Sequence, residues 1–175
     1  NSKITTNGEL KIDESDVALD NSTISATGKI EVKKNSTVNA TNNSEITTGD
    51  ELKINESDVT LDNSTISATK KIEVKKNSTV NANNNSEITT DDELKIDESN
   101  VTIDDSNVSA TGKIDIKKNS SFNATNNSEI TTDDELKINE SDVTLDNSTI
   151  SATGKIEVKK NSTVNANNSS EVSTE

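Results

Sequence analysis

The chain has 175 residues, 26% apolar and 29% charged, with 32 acids against 18 basic residues that are all lysine, for a net charge of −14. It contains no His, Cys, Met, Trp, Tyr, Pro or Arg, and Phe122 is its one aromatic residue. That composition excludes disulfides, zinc sites and thiol or imidazole catalysis, disfavours nucleic acid and anionic membranes as partners, and taken alone resembles disorder.

The order of the residues argues against disorder. The segment Ser44-Glu45-Ile46-Thr47-Thr48 returns at Ser86 and Ser128 and starts again at Ser170, 42 residues apart each time. The chain reads as one continuous array over residues 1–175, with repeats starting near 2, 44, 86 and 128 and a partial repeat at 170–175. Each repeat divides into a 20-residue half, such as 44–63, and a 22-residue half, such as 64–85.

Taken in chain order, 44–85 predicts six short strands. Their inward residues are Ile46; Leu52 and Ile54; Val59 and Leu61; Ile66 and Ala68; Ile72 and Val74; Val80 and Ala82. Spacing at i, i+2 is that of a strand with one buried face, and Ile, Val and Thr favour strands. The intervening Asn, Ser, Asp and Lys suit turns. This template absorbs 45 of the 46 apolar residues, leaving only Ala18.

Three such strands per half predict an all-β fold. It is a single-stranded parallel β-helix, or β-solenoid, of about eight coils of 20–22 residues. Coils about 4.8 Å apart would make a rod roughly 38 Å long. One coil cannot bury its apolar face alone, so stacking supplies the core. No apolar run approaches the roughly 18 residues of a membrane span, and the N-terminal residues do not read as a signal peptide.

The polar residues carry the same register. The outward position of the middle strand runs Lys11, Glu31, Lys53, Glu73, Lys95, Asp115, Lys137, Glu157, and the position before it runs Glu9, Lys29, Glu51, Lys71, Glu93, Lys113, Glu135, Lys155. Stacked in register, each charge lies between two of opposite sign. Serine precedes an inward Ile or Val by two residues, as at Ser44, Ser64, Ser57 and Ser78, so these hydroxyls point inward toward one another or the bend. Asn21, Asn43, Asn63, Asn85, Asn127 and Asn147 precede one corner, where left-handed backbone is expected; Asp105 and Ser169 are the exceptions.

No catalytic, cofactor-binding or metal-ligating residue is predicted, and no cofactor. An enzyme site is a unique constellation, whereas each cluster here recurs. Asp133-Asp134-Glu135 returns as Asp91-Asp92-Glu93 and weakly as Gly49-Asp50-Glu51. These read as solvated acidic turns, with a weak calcium site as the alternative. Sugar stacking lacks its aromatic rings. For ice binding, the hydroxyl column Thr5, Ser25, Thr47, Ser67, Thr89, Ser109, Thr131, Ser151 is one residue wide, and the third strand offers Thr60, Asn81, Thr102 and Asn123. Asn-x-Ser/Thr sequons are dense, as at Asn21, Asn35, Asn39, Asn63, Asn77, Asn119, Asn123, Asn147 and Asn161. An Asn/Ser/Thr-rich chain makes such triplets by chance; in a secreted chain they are candidate glycan sites, although corners stacked about 5 Å apart could not all be occupied.

The run from Glu51 to Thr69, continued by Lys70-Lys71-Ile72-Glu73-Val74, resembles the repeats of filamentous-haemagglutinin-like, two-partner-secreted surface adhesins. The resemblance covers nearly the whole chain; Gly28, Gly112 and Gly154 match the family's common glycine and Lys70 departs from it. Asn- and Lys-rich repeats of this kind also resemble archaeal adhesin-like proteins. The resemblance implies a right-handed β-helix serving as the stalk of an extracellular or cell-surface adhesin.

The expected function is therefore a structural stalk or fibre-forming segment, without enzymatic activity. The chain starts with one repeat and stops just inside another, so its expected partners are neighbouring repeats of a longer chain or other copies stacked end to end. Host-cell surfaces are a further partner; nucleic acid and membrane insertion are not expected. The alternatives are a ligand- or host-surface-binding face and, as a minor one, ice binding.

Overall fold

A computed structural model describes residues 2–174 and contains β-strands, turns and bends, with no helix among them. The strands number 25, three per coil, and each pairs in parallel with the strand one coil away. They form three sheets of nine, eight and eight strands. In the coil 44–63 these are Glu45–Thr48 in the first sheet, Glu51–Asn55 in the second and Asp58–Asp62 in the third. The next coil repeats them as Thr65–Ala68, Lys71–Lys75 and Thr79–Asn83. The β-solenoid expected from the periodicity is thus the fold.

Like stacks on like in the core. Ile46 lies on Ile66 and Ile66 on Ile88; Leu52 on Ile72 and Ile72 on Leu94; Val59 on Val80 and Val80 on Val101. The buried cluster runs unbroken from Ile12 to Ala152, and Phe122 is wholly buried in the column of Val101 and Val143. Burying each such side chain contributes about 1.5–3 kcal/mol, which each coil gains only from its neighbours. The end coils show this: Ile4, Val158 and Val172 point inward in register, yet are 48%, 47% and 38% exposed with no further coil over them. Ala18 faces outward and is exposed.

The corners explain why coils alternate between 20 and 22 residues. In the short coil Glu56 alone is left-handed between the second and third sheets, whereas in the long coil both Lys76 and Asn77 are. Between the third and first sheets the short coil uses Asn63 alone and the long coil uses Asn84 and Asn85. One added left-handed residue at each of two corners lengthens the coil and leaves all strands in register. Asp105 and Ser169, which break the Asn column, also keep positive φ, at 48° and 64°.

Buried serines close these corners. The Ser57 N–H donates to Ser78 Oγ (3.2 Å) and the Ser78 N–H to Ser99 Oγ (3.2 Å). Each hydroxyl donates onward to a carbonyl of its own bend, as Ser78 does to Lys75 O (2.6 Å). A second column runs Ser22, Ser44, Ser64, Ser86, Ser106 in the same way. The hydroxyls therefore bridge to backbone rather than to one another. Each satisfies one N–H and one C=O that the turn takes out of the sheets.

The third corner, between the first and second sheets, uses glycine differently. No glycine has positive φ. A Cβ on Gly112 would lie 2.7 Å from Asp92 O, and one on Gly154 2.5 Å from Asp134 O. Glycine here allows close stacking of backbone on backbone. Lys70, at the same position, carries a Cβ and reaches Asp50 Oδ1 at 2.8 Å.

Candidate functional site

The most organised surface is the outer face of the second sheet. Both predicted charge columns stack in register, Lys53–Glu73–Lys95 and Glu51–Lys71–Glu93. A third column lies beside them: Asn55, Lys75, Asp97, Lys117. The face is therefore a checkerboard, with signs alternating both along the strands and between coils. The third column escapes a reading of the sequence because Asn55 and Asn139 interrupt its alternation.

Glu73 is the best-connected point of this lattice. Its carboxylate lies 2.9 Å from Lys95 Nζ, 3.1 Å from Lys75, 3.6 Å from Lys71 and 3.9 Å from Lys53. Burial raises its pKa, but hydrogen bonds from Lys95 and Lys75 and the charges of Lys71 and Lys95 outweigh burial and hold it at about 2. Glu93 is lowered in the same manner: burial acts upward, and Lys71 (3.0 Å) and Lys113 (3.1 Å) prevail. Lys95 is raised, first by its bond to Glu73.

The lattice has gaps: Asn55 and Asn139 lack the acid of their column, and Asp13, Asn55, Asp97 and Asp115 each keep a buried Oδ1 without a partner. Asp115 is one methylene shorter than Glu31, Glu73 and Glu157; it reaches Lys117 at 3.3 Å and leaves its buried Oδ1 without a partner. Where Asn55 replaces the acid supplied elsewhere by Asp13 and Asp97, contact with Lys75 pushes Lys53 below the ordinary lysine value.

Charge is divided unevenly around the rod. Sixteen of the 18 lysines belong to the outward columns of the second sheet or the corner after it, alongside fourteen acids. The other two, Lys3 and Lys70, share the remaining surface with seventeen described acids. The −14 is thus carried by the first and third sheets and their corners.

On the first sheet the hydroxyl column Thr5, Ser25, Thr47, Ser67, Thr89 stacks in register, one residue wide, beside Glu45 and Glu87. On the third sheet Thr60, Asn81, Thr102 and Asn123 form the middle of three ranks. Asp58, Thr79, Asn100 and Ser121 flank them on one side, and Asp62, Asn83, Asp104 and Thr125 on the other. The flat polar face is wider than the middle column suggests, and aspartates interrupt it in alternate coils.

The acidic turns stay apart. Asp91, Asp92, Asp133 and Asp134 lie at the corner between the first and second sheets, and among the described residues no three acids converge in a metal-holding geometry. The Asp134 N–H donates to the buried Thr132 hydroxyl, which itself donates to Gly112 O. The voids inside the core are about 10 Å³ each and apolar, too small and too dry to admit a ligand. Open grooves of about 290–330 Å³ run along the corners, for example between Asn35 and Asn77 over Glu56 and Asp58.

The sequons fall into distinct classes. Asn35, Asn77, Asn119 and Asn161 occupy the long-coil corner between the second and third sheets; Asn21, Asn63 and Asn147 occupy the short-coil corner between the third and first; Asn39 and Asn123 lie on the third sheet.

No family model, curated protein or solved structure matches the chain.

Proposed function

We propose that the chain is a structural stalk segment of an extracellular, cell-surface adhesin, a spacer whose purpose is length and stiffness. The observation that carries this reading is that every organised feature of the surface recurs from coil to coil. The checkerboard, the serine columns and the left-handed corners belong to the rod as a whole, and a site for a small ligand needs one local constellation. The resemblance to filamentous-haemagglutinin-like repeats supports the same class. Because each coil is completed by the one stacked on it, the partners proposed are neighbouring repeats of a longer chain or a second copy stacked end to end.

The test has two arms. Purified chain is applied to glycan arrays and to cells; a stalk binds neither above background, and saturable binding would refute the spacer reading. Electron microscopy of the same material separates filaments from short rods, and monodisperse rods would remove end-to-end stacking.

A second reading is favoured by the outer face of the third sheet, a lysine-free array three ranks wide made mainly of Thr, Asn and Asp. Such a face would serve a ligand or host surface. Saturable binding abolished by replacing Thr60, Asn81, Thr102 and Asn123 would establish it.

A further inference from the structure

We infer that the long-coil corner between the second and third sheets is an N-glycan acceptor edge, with Asn35, Asn77, Asn119 and Asn161 as its sites. All four lie in sequons: Asn-Ser-Thr at 35, 77 and 161, and Asn-Ser-Ser at 119. The short-coil corner between the third and first sheets offers the identical tripeptide at Asn21, Asn63 and Asn147. Sequence therefore does not separate the two classes at the acceptor triplet, and the fold does.

At the long-coil corner each Asn is the second of two left-handed residues; it is exposed, as are Asn21, Asn63 and Asn147 at the other corner, so exposure does not separate the two. Among the described residues, the hydrogen bonds at this corner engage its backbone, as Asn77 N–H to Glu98 O (2.7 Å), and none engages the four side-chain amides. At the short-coil corner the amides of Asn63 and Asn147 are committed, while that of Asn21, in the first coil, makes no side-chain hydrogen bond among the described residues. Asn63 Nδ2 donates to Asn43 Oδ1 (3.3 Å) and Asn147 Nδ2 to Asn127 Oδ1 (2.8 Å). The neighbouring sequon amides of Asn42 and Asn84 are tied to Asp20 (2.7 Å) and Asp62 (2.6 Å).

Spacing points the same way. Whereas at the other corner the sequons of Asn42 and Asn84 interleave with those of Asn21 and Asn63 at about one strand spacing, the acceptor asparagines occur once per double coil, about 9.6 Å apart. Between them the shorter coil is recessed, which forms the groove of about 290 Å³ between Asn35 and Asn77. Glycans on Asn35 and Asn77 would thus stand on either side of this groove.

The donor is a lipid-diphosphate-linked oligosaccharide. The amide Nδ2 bonds to the anomeric carbon as the bond from that carbon to the diphosphate oxygen breaks. The diphosphate leaves with the electron pair, and the amide proton passes to a carboxylate of the transferase. The assignment rests on the extracellular reading only in that such transfer takes place in a secretory pathway.

The full chain is to be directed through a eukaryotic secretory pathway and its glycopeptides quantified after enzymatic release in heavy-oxygen water. Synthetic peptides spanning Asn77 and Asn63 serve as acceptors for the same transferase. Occupancy at Asn35, Asn77 and Asn161 is expected to exceed that at Asn63 and Asn147 several-fold in the folded chain, with similar occupancy in the two peptides. Thr79→Ala is expected to remove the glycan from Asn77 alone. Equal occupancy of the two corners, an unoccupied long-coil edge, or peptides that reproduce the preference by themselves would each overturn the inference. Because the host supplies secretion, none of these outcomes bears on the stalk reading.

Discussion

Glu73→Gln removes the carboxylate that four lysines share while keeping the side chain's size. Its effect can be worked from the lattice. The wild-type carboxyl is held at about 2 against an ordinary 4.5, which by linkage bounds its contribution at about 3 kcal/mol. The four lysines keep between 21% and 25% of their side chains in water. Screening there lowers the expected figure to about 1–2 kcal/mol, or a fall of about 3–6 °C in Tm.

The sign follows from the depressed value. The contribution is fully present above the ordinary carboxylate pKa and disappears as pH falls toward the folded value, so the window is about pH 4.5 to 2. Thermal melts of both proteins at pH 7, 4 and 2 check it. The gap is largest at neutral pH, narrows at pH 4 and closes near pH 2. At about 1 M salt, where the Debye length is about 3 Å, the neutral-pH gap also shrinks. A gap independent of pH and salt would refute the charge lattice as a source of coil stacking and assign the loss to packing.

Three further substitutions probe other layers of the structure. Asp115→Glu restores the side-chain length of Glu31, Glu73 and Glu157 and is expected to stabilise by about 0.5–1 kcal/mol in a urea melt, whereas a loss would contradict the assigned shortfall. Ser78→Ala strands the Ser57 N–H and the Lys75 carbonyl, with an expected cost of about 1–3 kcal/mol and faster exchange of the Ser57 amide. Ile72→Asp puts a charge between Leu52 and Leu94 and should cost more than about 4 kcal/mol. Its damage should be local, with amide protection lost around residues 52–94 and largely kept around 130–150, because each coil interface contributes separately.

Much of this architecture is legible in the residues. Period-two spacing at Ile72 and Val74 identifies the strands, and the alternation of Lys53, Glu73 and Lys95 identifies the register, because opposite charges in neighbouring coils are stable only when paired. Asn63 announces a left-handed corner. The third charge column is harder to see, since Asn55 and Asn139 break it. The left-handed Glu56 and Lys76 carry no propensity signal at all: neither residue favours positive φ, and the closure of the coil imposes it on both. The role of Gly112 also requires coordinates, because a close backbone approach between coils leaves no mark on a single coil's sequence. The commitment of the Asn63 amide, against the free one of Asn77, is likewise a property of stacked coils, since identical tripeptides acquire different neighbours.

Spin-label distances report whether the coils stack in register along one axis. The chain has no cysteine, so paired substitutions on one column of the third sheet give unique labels. Thr37, Ser121 and Thr163 share that column. Labels at 37 and 121 are predicted about 19 Å apart and labels at 37 and 163 about 29 Å apart, in narrow distributions, from four and six strand spacings. A broad distribution centred near 60 Å for the second pair, as a flexible chain of that contour would give, would contradict the solenoid and everything built on it.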